Sequence, residues 1–419
     1  MRVLFIGRSY PPEVNSIAVL YGELAQGLAR LGHDVTVLTR RPQLYLAEDE
    51  PVDVSTPVVG AAGVSGDITV RRVPTLPVPG RVPVLRGAEQ LVTAGTFIAD
   101  GVLAGKHDVA LVYSPPLPYT LTAWVIGMIR RMPFVLNVQD LYPQTAIDLG
   151  LLRNRALIGA FRSLERFAYR RAARITVHSE GNRQHVIGQG ADPEKVRVIH
   201  NWVDTERIAP APFDNEFRRT HVPPDRFVVS FAGVMGFAQG LERVIEAADL
   251  LRAHTDIYFL LIGEGVKRPD LESDAARRGL QNVLFLPLQP SGRYAEVLAA
   301  SDVCLVTLSA DLKTPVVPGK LQSIMAAGRP VIASLNPRGD AATMIEDSGC
   351  GIVADPADAT TLADAVLRLA RDSGLRATMG ANGRQFAERR FTLGAAVNGY
   401  ADELESAARD AGRRRDPTA

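Results

Sequence analysis

The sequence predicts an α/β protein built from two doubly wound domains. Three observations predict it. Short apolar runs alternate with stretches of helical periodicity. The alternation restarts after a polar, proline-rich segment. The chain has 419 residues, enough for two cores, and its 46% hydrophobic and 22% charged composition is that of an ordinary globular protein.

The elements follow in order. Val3 to Ile6 is a short buried strand, and Gly7 to Ser16 a loop with Pro11 and Pro12. Ile17 to Leu31 carries Val19, Leu20, Leu24, Leu28 and Leu31 at helical spacing, with Gly32 as its stop. Val35 to Leu38 is the next strand. A strand, helix and strand of this length imply a parallel pair joined by a right-handed crossover. Ile68 to Val73, Val109 to Tyr113, Phe134 to Val138, Ile175 to Val177 and Val196 to Ile199 read as further strands, with Leu117 to Arg131 helical. They complete a first domain over 1–204. Residues 205–225, with Pro210, Pro212, Pro223 and Pro224, read as a linker. The second domain, 226–390, has strands at Phe227 to Ala232, Tyr258 to Ile262, Val283 to Phe285, Val303 to Val306 and Val331 to Ala333. Helices are expected over Leu241 to Ala253 and from Thr360 to Arg371. A last helix fills 391–410, and the charged 411–419 reads as a disordered tail.

Several classes are excluded. A formal net charge of +1 gives no nucleic-acid signal. Two cysteines, Cys304 and Cys350, make neither a disulfide framework nor a cysteine-rich metal site, and fit a reducing compartment. The apolar run at the N-terminus is too short for a signal peptide, and no run of about 18 apolar residues suggests a membrane span. These features point to the cytoplasm and leave attachment to the membrane surface open.

Two segments suit an anionic ligand. Gly233-Val234-Met235-Gly236-Phe237-Ala238-Gln239-Gly240 joins a strand to a helix, and glycines let backbone N–H groups approach a phosphate at the helix start. The same loop is equally a tight turn that binds nothing. In Thr314 to Ala333, Lys320 opens a short helix, where a cation opposes the helix dipole unless an anion neutralises it. Lys320 therefore either faces a phosphate or is a solvated surface lysine.

Asp140 ends a buried strand at the sheet edge where ligands bind, so it is a polar or basic candidate, or a cap for Leu141 to Leu149. Glu13 either contacts substrate or caps a turn, and Asn201 either faces a ligand or shapes a turn. His178 and His200 also end strands and lack metal-ligand spacing. Over 153–174, Leu157, Phe161, Leu164 and Ala168 form one helical stripe, and Arg155, Arg162, Arg166 and Arg170 another. Such a helix lies on anionic lipid or packs its apolar side on the sheet.

The stretches SYPPEVNSIAVLYGELAQGLARLGHDVTVLT, VLNVQDLYPQTAIDLGLL, VRVIHNWVD, GVMGFAQGLERVIEAA, LLIGEGVKRPDLE and PGKLQSIMAAGRPVIA together resemble glycosyltransferase family 4, in order and over nearly the whole chain. The nearest subgroup resembles the fucosamine-transferase-like enzymes of bacterial O-antigen and capsule assembly. The resemblance implies a GT-B fold: two facing Rossmann-like domains with parallel sheets, and a C-terminal helix crossing back to the first. It implies a nucleotide-sugar donor, retention at the anomeric carbon and no required metal or other cofactor. Carried onto this sequence, donor contacts fall at Gly233, Gly236, Gln239, Gly240, Gly263, Gln289, Lys320, Leu321 and Gln322. Acceptor-side contacts fall at Glu13, Asn15 and Asn201, and catalytic roles at Asp140 and Lys320. The chain departs from the commoner pattern. Pro315 and Ser323 replace a glutamate pair, Val234 and Gln239 an arginine and a lysine, Gln139 a histidine, and Asn15-Ser16 a glycine pair.

The expected function is transfer of a sugar from a UDP- or GDP-sugar to a glycan or polyprenyl-linked acceptor. The donor would sit between the domains, with peripheral membrane contact through 153–174 and no nucleic acid involved. A sugar-nucleotide 2-epimerase on the same fold and a non-catalytic subunit of a membrane biosynthetic complex are the alternatives.

Overall fold

The computed structural model describes residues 1–13, 15–42, 66–74 and 83–413. The chain forms two compact units: Met1–His200 with Leu393–Ala419, and Asn201–Thr392.

Unit 1 contains β1 (Arg2–Ile6), α1 (Ser16–Arg30), β2 (Asp34–Arg40), β3 (Ile68–Val73), α2 (Pro83–Leu103), β4 (Val109–Ser114), α3 (Pro118–Arg130), β5 (Phe134–Val138), α4 (Gln144–Asp148), α5 (Arg155–Arg171), β6 (Arg174–Val177), α6 (Glu180–Gly188) and β7 (Val196–Val198). Its strands run parallel in the order β3-β2-β1-β4-β5-β6-β7. Strands covered on both faces must be apolar throughout, and β1 and β4 accordingly bury every residue from Val3 to Ile6 and from Val109 to Ser114.

Unit 2 contains α7 (Glu216–His221), β8 (Phe227–Ala232), α8 (Glu242–Leu250), β9 (Ile257–Ile262), α9 (Arg268–Arg277), β10 (Val283–Leu286), α10 (Tyr294–Ala299), β11 (Val303–Thr307), α11 (Lys320–Ala326), β12 (Val331–Ser334), α12 (Asp340–Ser348), β13 (Gly351–Ala354), α13 (Ala359–Arg371) and α14 (Ser373–Arg390). Its parallel order is β10-β9-β8-β11-β12-β13. The amphipathic α13 shows how the sheet is covered. Leu362, Val366 and Leu369 recur at helical spacing, are fully buried, and pack with Val229, Phe231 and Ile332.

In each sheet the strand order reverses once, between β1 and β4 and between β8 and β11. Ligands of open α/β sheets bind at the carboxyl ends of the strands beside such a reversal.

The final helix, α15 (Leu393–Arg413), is part of unit 1, and residues 414–419 of the expected tail lie outside the described residues. Its Val397 fills the space left by Gly27 of α1, where any Cβ would collide with it. The segment 205–225 differs from the expected linker. It contains α7, and Phe217 is fully buried with Val222, Val228 and Leu260, so this stretch is core of unit 2. Its prolines and charges mask one short amphipathic turn.

Candidate active site

In unit 2, the loops after β8 and β9 are joined by backbone bonds: Gly233 N to Ile262 O (2.9 Å), Met235 N to Glu264 O (2.8 Å) and Lys267 N to Met235 O (3.0 Å). Gly263 has φ +146°, and a Cβ there would fall on the carbonyl oxygen of Gly233. Glycine is what lets the two loops meet. Within the first loop, Gln239 Oε1 accepts from Gly236 N (3.0 Å), so this side chain closes the turn. Gly240 follows in the left-handed region, φ +59°, just before α8 begins. At its start Arg243 N bonds Gly240 O (3.2 Å) and Val244 N bonds Leu241 O (3.0 Å), so the N–H groups open to a ligand lie before Arg243.

Lys320 comes from the other side of the strand-order reversal, at the end of the loop that follows β11. Its Nζ is buried, has no hydrogen-bond partner, and lies 3.5 Å from the centroid of the Phe231 ring. A Cβ on Gly233 would stand 3.1 Å from Nζ, so the glycine makes room for the amine. The structure therefore brings the glycine loop and Lys320 together. Burial lowers the Lys320 pKa to about 7, because desolvation penalises the charged form. The solvated-lysine alternative fails on this geometry. Thr307 Oγ1, at the carboxyl end of β11, is a second buried polar atom without a partner. No sequence signal marks it, because a threonine ending a strand is common.

The other expected donor residues divide. Leu321 is fully buried in the core and its N–H bonds Pro318 O (2.9 Å), so it offers a ligand neither side chain nor backbone donor. Gln322 is buried too. With its amide nitrogen turned inward it donates to Gly319 O (2.9 Å) and Pro318 O (3.2 Å), bracing the turn before Lys320. Gln289 is partly exposed and donates to Pro287 O (3.0 Å) in the loop after β10.

In unit 1, Asp140 follows β5 and its side chain is exposed. Desolvation by surrounding protein nevertheless raises its pKa above the usual aspartate value. The exposure decides that solvent and ligand reach the carboxylate; the raise adds only a direction, toward a stronger base. Beneath it lies a buried polar network. Asn137 Nδ2 donates to Tyr400 Oη (2.6 Å) and Thr176 Oγ1 (3.0 Å), and Tyr400 also bonds Gln139. His178 Nε2 lies 3.0 Å from Gln139 O and 2.9 Å from Asn182 Nδ2. Its place is structural. Tyr400 belongs to α15, some 260 residues from its partner in sequence, and no local pattern announces it.

The acceptor-side residues are less open than expected. Glu13 is buried, 3.6 Å from the Arg40 guanidinium, and so holds its own loop. Asn15 caps α1, its Oδ1 accepting from Ala18 N (3.0 Å). Asn201 is buried and is the first residue of unit 2, whereas the first domain was expected to run on to 204.

A cavity of about 770 Å³ opens at the amino ends of the unit 1 strands, lined by Arg2, Lys106, His107 and Arg131 among others. It lies at the pole away from Asp140. Its cations stand near the last turns of α2, α3 and α15, where they offset helix dipoles. We therefore place the site at the carboxyl ends. Among the described residues, no three His, Cys, Asp or Glu side chains gather as metal ligands do.

Residues 17–202 match the family described as glycosyl transferase 4-like domain, and residues 226–372 match the glycosyl transferases group 1 family. The chain is a family 4-type glycosyltransferase. It is 28% identical over 343 residues to the putative colanic acid biosynthesis glycosyl transferase WcaI of Escherichia coli, covering 78% of this chain and 82% of that one. It is 29% identical over 288 residues to the probable glycosyltransferase WbjE of Pseudomonas aeruginosa, covering 66% and 70%. Among solved structures, sucrose-phosphate synthase from Thermosynechococcus elongatus superposes with a TM-score of 0.76 at 17% identity, over 97% of this chain and 98% of that one. Anabaena HepE, solved with UDP and glucose, gives 0.73 at 19%, over 97% and 100%. These two likenesses show the GT-B fold.

Proposed function

We propose that this glycosyltransferase moves a sugar, with retention at the anomeric carbon, from a UDP- or GDP-sugar to a glycan or polyprenyl-linked acceptor in cell-surface polysaccharide synthesis. The observation that carries the donor half is Lys320. A buried amine with no partner, beside glycine backbone and a helix start, is a site prepared for phosphate oxygens. As the glycosidic bond breaks, negative charge grows on the diphosphate, and Lys320 with the N–H groups opening α8 stabilises it. Asp140 is our candidate for receiving the acceptor hydroxyl, because it is an exposed carboxylate at the carboxyl edge of the unit 1 sheet, whereas the exposed Glu180 on the same edge pairs with Arg183. The polysaccharide context is supported by the name of the WcaI relative, and a nucleotide donor by the UDP seen in HepE. Lys320→Met tests the donor half: dissociation constants for UDP-glucose and GDP-mannose should rise by at least about tenfold. Unchanged affinity would remove Lys320 from the site.

The protein works, in this reading, in the cytoplasm at the inner face of the membrane, reached through α5. No helix among the described residues is long and apolar enough to cross a bilayer. The first half of α5 is largely exposed, though Phe161 packs edge-to-face on Tyr142. Leu157 is 51% exposed, and Arg155, Arg162 and Arg166 are exposed with it. The apolar stripe expected to pack on the sheet is buried only from Ala168 onward. Leu157→Asp should weaken co-sedimentation with anionic phospholipid vesicles and leave donor binding intact; equal sedimentation would dismiss α5 as the contact.

A further inference from the structure

We infer that donor binding draws a proton from solvent onto Lys320, whose amine, buried without a partner in the free protein, gains an anion to face in the complex. The inference rests on the donor reading above and adds a regulation to it, dependence of donor affinity on pH.

Four observations carry it. Nζ has no exposure to solvent and no hydrogen-bond partner. It lies over the face of Phe231, 3.5 Å from the ring centroid. A ring face attracts a cation weakly, and this does not replace lost hydration. Among the described residues no charged side chain acts on it; burial is the one influence that shifts it. The titratable and charged groups on the elements around it are engaged elsewhere. Tyr294 of α10 bonds Ser323, and its own proton is held more tightly through burial. Cys304 of β11 bonds Ser230 (3.6 Å), and burial raises its pKa to about 11. Arg384 of α14 donates to Ala326 O (2.7 Å) at the far end of α11. None of these groups favours the ammonium form in the free protein. A diphosphate beside Nζ does, so ligand and proton bind together.

The sign follows from linkage. The free-protein pKa is lowered to about 7. Below that value the ammonium is already formed and donor affinity is flat. Above it each complex must capture a proton, and affinity falls as pH rises, until the pKa of the complex is reached. Between pH 6 and pH 8 the dissociation constant should rise about tenfold.

The test is calorimetric titration with UDP-glucose and with GDP-mannose in buffers of differing ionisation enthalpy. Both phosphates of these donors are esterified and do not titrate near neutrality, so proton exchange reports the protein. At pH 8 the apparent enthalpy should depend on the buffer with a slope of nearly one proton taken up per complex, shrinking toward zero at pH 6. Lys320→Arg, which stays charged, and Lys320→Met, which carries no proton, should each abolish the slope while circular dichroism confirms the fold. Donor binding with no proton uptake at pH 8, or the same slope in both variants, overturns the inference and leaves the donor reading standing. No heat with either nucleotide sugar at any pH overturns both.

Discussion

The carboxyl ends of the two sheets treat buried polar groups differently. In unit 1 they bind one another: Asn137, Thr176, Gln139 and Tyr400 form one network, and Glu13 has Arg40. The atoms left over belong to neutral side chains, such as Tyr21 and Asn137, or to charged ones already paired through another atom, such as Glu13 with Arg40 and Arg72 with Pro11 O. In unit 2 the atoms left over at this edge include the hydroxyl of Thr307 and the amine of Lys320, a charged group with no partner at any atom among the described residues. A neutral orphan costs about 1–3 kcal/mol, and an unpaired buried charge costs more and tends to give up its proton instead. The contrast teaches where each ligand is awaited. On the proposed reading, unit 2 carries an unmet electrostatic need that a diphosphate would answer, while unit 1 is a scaffold paired within itself that holds the Asp140 carboxylate out to solvent.

The largest effect expected from this contrast is on turnover. Asp140→Asn should lower kcat by about a hundredfold or more, the range for removing a group that handles a proton in the reaction. Donor affinity, which the proposed site assigns to unit 2, should stay within a factor of about two. The measurement is steady-state kinetics with acceptor varied, beside calorimetry of donor alone. If the substitution instead weakens donor binding and spares kcat, the division of labour between the units is wrong.

How far this was legible in the sequence depends on whether the signal is local. Every strand expected in either sheet is present within one or two residues, because short Val, Ile and Leu runs between turn residues have few alternatives. The strand over 351–354 is an addition to those expected. In β13, Gly351, Ile352, Val353 and Ala354 are half-buried or buried, a run too short and too glycine-rich to stand out. The glycine loop and Lys320 were legible for the same local reason, and their meeting followed from the strand order. Leu321 and Gln322 show the opposite. A motif names a stretch of residues, but the helix turns successive side chains in different directions. Lys320 faces the β8 loop, while Leu321 joins the core and Gln322 braces the turn below. Tyr400 was out of reach because its partners are joined to it only by the return of α15 to unit 1.

A smaller effect sharpens the comparison from inside unit 1. Glu165 of α5 is the closest counterpart there to Lys320: an ionisable side chain only 2% exposed. It differs in having a partner, accepting from Tyr169 Oη (2.9 Å). Burial raises its pKa from 4.5 to about 7, against smaller lowering by Tyr169, Arg162 and Arg166. The folded state therefore holds this proton more tightly than the unfolded chain does. Its contribution to stability is full below about pH 4.5, fades as pH rises through 7, and is gone above. Glu165→Gln carries no charge at any pH and keeps an oxygen for Tyr169. It should stabilise the protein at pH 8 by up to about 3 kcal/mol, the free-energy equivalent of that displacement, and by almost nothing near pH 4.5. Urea denaturation at the two pH values measures it. Donor affinity should not move, because this group has its partner within the fold and awaits no ligand. A gain that is equal at both pH values would mean the carboxyl is not titrating in the folded protein. Loss of stability at pH 8 would mean that Arg162 and Arg166 pair with the carboxylate strongly enough to outweigh its burial.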